Sequence, residues 1–563
     1  MVSTKTIPVC DEASLNDGEM KEVEFGSGKV LLARIGEKVH ATSAYCSHYG
    51  AQLANGVLVA DGRVVCPWHG ACFNVCTGDI EDAPAPAAIH SFKTSVSNGK
   101  IYVTADEERV SKPNMSRSPK VSSNPDGGMA SGNAGVVIVG GGSGAFHSIL
   151  SLRENGYIGP ITVVSKEPHS PIDRTKLSKS LATDASKLEW RTAADLRIKF
   201  GVTLRTSTTV TSINIVGKQI VLEGGKEFIH YDKLILAPGS QPKRLPIPGA
   251  DLENVFTFRG ISDSIKVDAA AKEGKKLIVI GSSFIGLEIA VTVLPRKLAS
   301  IDIIGRTNVP FEPVLGKDVG AAIQKFHESK GIKFHLGSTV ERIIASESDP
   351  KFATGVEITN KEGEKEVIEA DFVVLGVGVS PATEFLKQSE GFPQAALQKD
   401  GGVRVDEYLK VRGLDDVFAI GDIAVYPRIP YGGETRIEHW NVAGNHGRAV
   451  GKTISGSPVP FSKVPIFWSG QGQNLRYCGI GAGYDDVIID GSLDELKFTA
   501  YYAKEDTIVA VAAMQNDPIV SRASELMRIG LMPTPEQVRA GLNLSTIDIS
   551  SSKAPILSPC ASA

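Results

Sequence analysis

Hydrophobic and polar positions divide the chain into regions of different period. Up to about residue 105 the apolar runs are short. Lys29–Ile35, Arg63–Val65 and Lys100–Val103 read as strands, and Asn55-Gly56, Asp61-Gly62 and Asn98-Gly99 supply turns between them. Short runs punctuated by such turns are an all-β pattern. Residues 106–134 then lose the apolar residues a core needs and read as a flexible linker, spanning about 30 Å as a coil. After the linker the pattern is α/β. Val136–Val139 is an unbroken apolar run, followed by glycines and a helical period ending near Gly156, and Ile161–Val164 is the next strand. A second strand–glycine–helix unit starts at Lys276–Ile280. The two units lie too far apart for a solenoid and imply two nucleotide-binding domains. Residues 456–530 mix strands with a helical end, and 531–563 read as a loosely ordered tail. The predicted order is therefore 1–105 all-β, 106–134 linker, 135–265 first dinucleotide domain, 266–395 second dinucleotide domain, 396–455 return to the first, 456–530 a smaller α+β domain, then the tail.

Composition narrows the function. Of 563 residues, 60 are Lys or Arg and 64 Asp or Glu, so a net charge of -4 gives no reason to expect nucleic acid. No apolar stretch is long enough to span a membrane. The first twenty residues carry Asp11, Glu12, Asp17 and Glu19, unlike a secretory signal or a presequence. A cytoplasmic location is expected, with mitochondrial association left open. Four of the seven cysteines fall between Cys46 and Cys76, among histidines, which points to a metal before a disulfide framework.

Cys46-Ser47-His48 and Cys66-Pro67-Trp68-His69 are two loops, each offering one thiolate and one imidazole. A Rieske [2Fe–2S] centre needs that set, two Cys on one iron and two His on the other. A Cys₂His₂ zinc site uses the same residue types, but its spacing normally pairs Cys with Cys and His with His. Residues 1–105 resemble Rieske ferredoxins, which makes Cys46, His48, Cys66 and His69 the cluster ligands. Ala51 and Trp68 stand where respiratory Rieske proteins carry a disulfide. Cys72 and Cys76 read as small buried hydrophobes.

Gly140, Gly142 and Ala145 form a G-x-G-x-x-A between strand and helix, as a pyrophosphate requires. Glu167 is the acid placed to hold a ribose hydroxyl. Tyr231–Ser240, with Gly239 at its turn, and Val417–Asp422, with Gly421 and Asp422, resemble the further FAD segments of two-dinucleotide flavoproteins. Gly281, Ser283 and Gly286 repeat the motif with Ser at the middle glycine, and Gly378 ends a later strand. After the strand Ile301–Ile304 an NAD domain usually carries an acid. Here Gly305-Arg306 follows, and Arg306 is either a 2′-phosphate ligand or a solvated surface residue. No cysteine lies between Cys76 and Cys478, so the flavin domains hold no disulfide-reducing pair.

The order of these parts resembles the apoptosis-inducing-factor-like flavoproteins with an N-terminal Rieske domain, on Cys66–Asn74, Pro171–Lys179 and Asp485–Ile488. The flavoprotein half is similar to ferredoxin reductases of bacterial oxygenase systems. The resemblance implies a multidomain fold: an all-β Rieske domain, α/β two-dinucleotide-binding flavoprotein domains and a smaller α+β C-terminal domain. It implies that Lys179 pairs with Glu288 near flavin N5 as the catalytic pair, that Arg174 of the same motif lies on the cofactor, and that His439-Trp440 closes over the isoalloxazine. The expected function is FAD-dependent oxidation of NAD(P)H, with electrons passing to the [2Fe–2S] cluster and on to an external acceptor, a protein among the candidates. A redox-sensing signalling protein with slow turnover is the alternative. An oligomer is left open. Removing residues 1–134 is expected to leave a flavoprotein that NAD(P)H still reduces.

Overall fold

The computed structural model describes residues 4–111, 117, 134–429, 432–551 and 553. The N-terminal region is antiparallel throughout. A six-stranded sheet runs in the order Thr4–Asp11, Lys100–Asp106, Ser91–Ser97, Lys38–Ser43, Gly28–Ile35, Met20–Phe25. A four-stranded sheet, Val57–Leu58, Arg63–Val65, Cys72–Asn74 and Ile80–Asp82, stands beside it. Short strands between tight turns leave long loops at one end, and both Cys/His loops are there.

Two parallel five-stranded sheets follow. The first takes the order Val202–Arg205, Ile161–Val164, Val136–Val139, Lys233–Leu236, Val417–Ala419. Its central strands are buried on both faces and hence continuously apolar. The second takes the order Val255–Thr257, Phe372–Leu375, Lys276–Ile280, Ser300–Gly305, Lys333–Leu336. Strands Ser240–Pro242 and Val379–Pro381 pair antiparallel to join the two domains. A last antiparallel sheet, containing Ile466–Gly470, carries the helix Ile519–Arg528. Among the described residues no helix is long and apolar enough to cross a membrane.

The helices Ser143–Glu154 and Trp440–Ile454 cross in close contact at Gly447 and Gly451. A Cβ on Gly447 would lie 2.4 Å from the Gly144 oxygen, and one on Gly451 2.4 Å from the Ser151 Cβ. Any side chain there would force the helices apart.

The structure revises two segments. Residues 107–111 of the expected linker are helical, with Val110 buried and Asp106 accepting a hydrogen bond from the Glu108 N–H. Arg117 is held by the carbonyls of Ala88 and Thr77. Residues 112–116 and 118–133, the bulk of that segment, lie outside the described residues. The expected tail is packed as far as residue 551. It forms the helix Pro535–Arg539 and buries Leu544 and Ile549 completely. The Ser/Pro-rich average hid a few apolar residues that find their surface on another domain. The Ile549 carbonyl accepts the Ala60 N–H of the first domain at 2.9 Å.

Val57, Val59, Val65 and Cys72 of the first domain share one hydrophobic cluster with Val464, Ile466, Cys478, Val511, Leu544 and Ile549. A buried ionic network runs alongside. Lys463 Nζ sits 2.7 Å from Asp82 and 3.8 Å from Glu525, Arg63 pairs with both acids, and Arg528 joins Glu525 to Asp61. The first domain is therefore docked on the rest of the chain by a continuous core.

Candidate functional site: a cluster domain docked on a flavin domain

The Cys46–Ala51 and Cys66–Ala71 loops close alike. In each, the cysteine N–H donates to the alanine carbonyl, at 2.9 and 2.8 Å. This brings Cys46 and Cys66 into side-chain contact, both buried. The neighbouring sulfur and burial push the Cys46 thiol well up, so a second thiolate here requires a cation between the two. His48 and His69 stand edge to face with ring centroids 5.0 Å apart. Burial holds the His48 imidazole down at about 4 and His69 well below its ordinary range, so both are neutral, as metal ligands must be. His48 is half-buried, yet both its ring nitrogens are buried without a hydrogen-bond partner. Among the described residues, no three His, Cys, Asp or Glu side chains converge as ligands of one ion. Two thiols together and two imidazoles together fit a binuclear cluster rather than one tetrahedral zinc. Cys72 is fully buried, as expected, whereas Cys76 is half-buried with its Sγ 3.8 Å from His40 Nε2.

The flavin side is built by two helix N-termini. Gly140 has φ +113°, and a Cβ there would strike the Ala237 oxygen. Gly142 caps Ser143–Glu154 without a side-chain bond, leaving first-turn N–H groups free for a pyrophosphate, and a Cβ on Gly142 would meet nothing within 4 Å. Ala145 is buried where the helix meets the sheet. Glu167 accepts two hydrogen bonds from Arg174 Nη2, at 2.8 and 2.6 Å. Arg174 also donates to the Arg259 carbonyl, and the Arg259 guanidinium donates to Asp422 at 2.9 Å. Gly239, at φ +71°, lies against Arg259, and Gly421 donates its N–H to His446. His439 caps Trp440–Ile454, and burial pushes its imidazole down to about 3. Trp440 Nε1 and Ser240 Oγ are buried without partners, polar atoms an isoalloxazine or ribitol would satisfy.

On the nicotinamide side, Gly281 has φ +116°, with a Cβ position 2.3 Å from the Gly376 oxygen. Gly286 packs against Gly281. Ser283 has φ −119°, extended backbone that a serine adopts freely, so its replacement of glycine strains nothing. Gly378 has φ +89° and accepts from the Lys243 N–H beside the interdomain ribbon. Arg306 is exposed.

Lys179 and Glu288 come together at 2.9 Å. Glu288 is 3% exposed and also accepts from Ser178 Oγ, Ser469 Oγ and the Gly470 N–H. Ser469 and Gly470 lie on the strand Ile466–Gly470, and so does Trp468. The Trp468 ring packs 4.4 Å from His69 and 5.3 Å from His439. Trp190 bridges His48 at 6.2 Å and Trp440 at 5.4 Å. Asn441, from the first turn of the Trp440 helix, donates to the His69 carbonyl, and Ser521 donates to the Cys66 carbonyl. Trp468, Ser469, Trp190 and Asn441 were not legible as site residues, because they belong to no local motif, and Ser178 stood inside the Pro171–Lys179 stretch without a role of its own.

Glu288→Ala leaves the Lys179 cation and two hydroxyls without their acceptor. It should cost about 3 kcal/mol of stability and slow flavin reduction by NAD(P)H about 10- to 100-fold with a changed flavin potential. Glu288→Gln, which keeps acceptors, should recover most of the stability and little of the potential. A changed melting temperature with unchanged flavin reduction and potential would make the pair structural only.

Residues 134–447 match the model of the pyridine nucleotide-disulphide oxidoreductases, 5–93 that of the Rieske [2Fe-2S] domain, and 466–543 that of the reductase C-terminal domain. Apoptosis-inducing factor 3 of Homo sapiens is 37% identical over 524 residues, 93% of this chain and 84% of that one. Rhodocoxin reductase of Rhodococcus erythropolis is 31% identical, covering 71% and 91%. Among solved structures, the ferredoxin reductase for the CYP199A2 system of Rhodopseudomonas palustris superposes with a TM-score of 0.67 at 29% identity, over 73% of this chain and all but 1% of that one, which is 99% covered. The covalent putidaredoxin reductase–putidaredoxin complex gives 0.66 at 27%, over 72% and 95%. With its FAD and nicotinamide cradles and its paired Cys/His loops, the chain belongs to the pyridine nucleotide-disulphide oxidoreductase family, as an FAD- and NAD(P)H-dependent oxidoreductase carrying an N-terminal Rieske [2Fe–2S] domain.

Proposed function

We propose that this chain oxidises NAD(P)H through its FAD, passes the electrons to its own Rieske cluster, and hands them on to an external acceptor. The observation that carries this reading is Trp468, whose strand touches a cluster ligand and the Glu288–Lys179 pair at once. Flavin supplies the adapter between a two-electron hydride and a one-electron cluster. The chain's own residues do the rest. Trp468, Trp190 and Trp440 fill the space between the cluster loops and the flavin domain and exclude water. Lys179 presents a cation beside buried Glu288, and Asn441 fixes the backbone of the His69 loop. Relatives include ferredoxin reductases, whose names imply a separate ferredoxin. Here the Rieske domain takes that place within one chain.

The test is anaerobic rapid mixing of Trp468→Ala with NAD(P)H, following flavin and cluster absorption separately. Flavin bleaching should stay near the wild-type rate, and cluster reduction should slow about 10-fold or more, with iron content unchanged. Equal rates in both phases would remove Trp468 from the route. Slow turnover of the wild type with every acceptor, together with persistent nucleotide complexes, would favour the redox-sensor reading.

A further inference from the structure

We propose that the nucleotide this chain uses is NADPH, and that Arg306 selects it by binding the 2′-phosphate. The inference rests on the reading of the chain as an NAD(P)H oxidase of its own flavin, and it narrows the substrate to one of two nucleotides.

In a parallel dinucleotide-binding unit, the end of the second strand meets the adenine ribose. An acid there accepts from the 2′-hydroxyl and repels a 2′-phosphate. The chain contains both cases. In the FAD domain the second strand, Ile161–Val164, is followed by Glu167, a carboxylate that Arg174 holds in place. In the second domain the equivalent strand, Ser300–Gly305, is followed by Arg306 and Thr307, so that Thr307 stands three residues past Ile304 as Glu167 stands three past Val164.

The packing at Gly305 is tight. A Cβ there would lie 2.5 Å from Ser282 Oγ and 2.8 Å from Leu336 Cδ2. Ser282 follows the pyrophosphate glycine Gly281, and its hydroxyl lies 3.3 Å from Thr307 Oγ1. A side chain at 305 would have to displace Ser282 and Leu336, and two hydroxyls line the strand end.

Around the turn stand two cations, Arg306 and Lys361, the latter paired with Glu362 at 3.7 Å. Arg306 is exposed and makes no ion pair among the described residues. The Gly337 N–H donates to the Thr307 carbonyl, and a Cβ on Gly337 would lie 3.1 Å from the Lys361 Cβ, so Lys361 flanks the same turn. The acid of this turn, Glu312, is already engaged, accepting the Asn308 N–H at 2.9 Å. A guanidinium offers a phosphate two parallel donors, whereas a ribose hydroxyl gains little from it. An exposed arginine without an ion pair among the described residues, beside two hydroxyls, suits the phosphate.

The experiment uses the full holoprotein and two readouts. One is kcat/KM for NADPH and for NADH. The other is calorimetric titration with adenosine 2′,5′-bisphosphate and with 5′-AMP, which differ only in the 2′-phosphate. The wild type should favour NADPH and bind the bisphosphate more tightly. Arg306→Ala should lower kcat/KM for NADPH, and affinity for the bisphosphate, by about 10- to 100-fold, the worth of a charge-assisted hydrogen bond. NADH and 5′-AMP should change by less than about twofold, as expected for a surface substitution, and Arg306→Lys should recover part of the loss. A wild type that prefers NADH, or a variant that loses both nucleotides equally, overturns the proposal. If neither nucleotide reduces the flavin, the proposed function fails instead, and the titrations still decide the role of Arg306.

Discussion

His69→Ala is expected to abolish the [2Fe–2S] absorption and paramagnetic signals while leaving flavin reduction by NAD(P)H near the wild-type rate. In the proposed ligand set an iron held by imidazoles would have two protein donors, His48 and His69, and the described residues bring no third His, Cys, Asp or Glu to replace one. Electron delivery to a cluster-dependent acceptor should fall by about 100-fold or more, beyond the 10- to 100-fold cost of losing an outer-shell partner. The flavin and nicotinamide cradles lie wholly after residue 134, so the first half of the reaction has no need of His69. The His69 ring also packs on Trp468, and its removal opens a cavity at the docking surface. Cys66→Ser is the companion variant, since it removes a ligand with almost no change of volume. Both variants should lose iron. Retained iron with an unchanged spectrum in both would refute the ligand assignment, and stoichiometric zinc in the wild type would replace the cluster with a structural ion. Unchanged transfer to the acceptor in an iron-free variant would make the flavin the direct donor.

Deletion of residues 1–134 should give a poorly stable, aggregation-prone flavoprotein rather than a well-behaved half-enzyme. The sequence reading treated the Rieske domain as a tethered unit that could be removed. The structure gives it a shared core. Losing Val57, Val59, Val65 and Cys72 uncovers the apolar face containing Val464, Ile466, Cys478 and Val511. The burial lost is worth on the order of 6 kcal/mol, from about 1.5 kcal/mol for each of the missing side chains. The deletion also strips Arg63, Asp82 and Asp61 from the buried ionic network, leaving Glu525 to Lys463 and Arg528. Removing partners from buried charges is costly. Melting followed by flavin release, together with size-exclusion chromatography, measures the effect. A truncated chain that stays monomeric and melts within about 1 °C of the full chain, a shift of about 1 kcal/mol at this chain length, would show that the shared core contributes little.

These expectations separate what was local from what was not. Each cofactor cradle was legible because one short segment builds most of it. A strand, a glycine turn and a helix start place Gly140, Gly142 and Ala145 through backbone geometry alone, and the same holds for Gly281, Ser283 and Gly286. The C-x-H and C-x-x-H loops carry their own turn, so type and spacing were enough to propose four ligands. The Lys179–Glu288 pair spans distant segments and came only through the family resemblance, and the structure brings the two together.

What only the tertiary structure decided is how the parts meet. Trp468 sits in a strand with no motif, and nothing in its neighbourhood along the chain marks it as the contact between His69 and His439. Ser469 and Ser178 look like ordinary polar residues until Glu288 is folded between them. The tail reads as loosely ordered because it is Ser/Pro-rich, yet Leu544 and Ile549 are buried on a surface made jointly by the first and last domains. Lys463, Glu525 and Arg63 form one network although they come from opposite ends of the chain. Sequence by itself determined the elements, the cofactor chemistry and the order of domains, because hydrophobic period, turn residues and ligand spacing act over a few residues. The docked interface belongs to the tertiary structure, because it depends on side chains hundreds of positions apart that share no period and are paired by shape and charge only once the domains have folded.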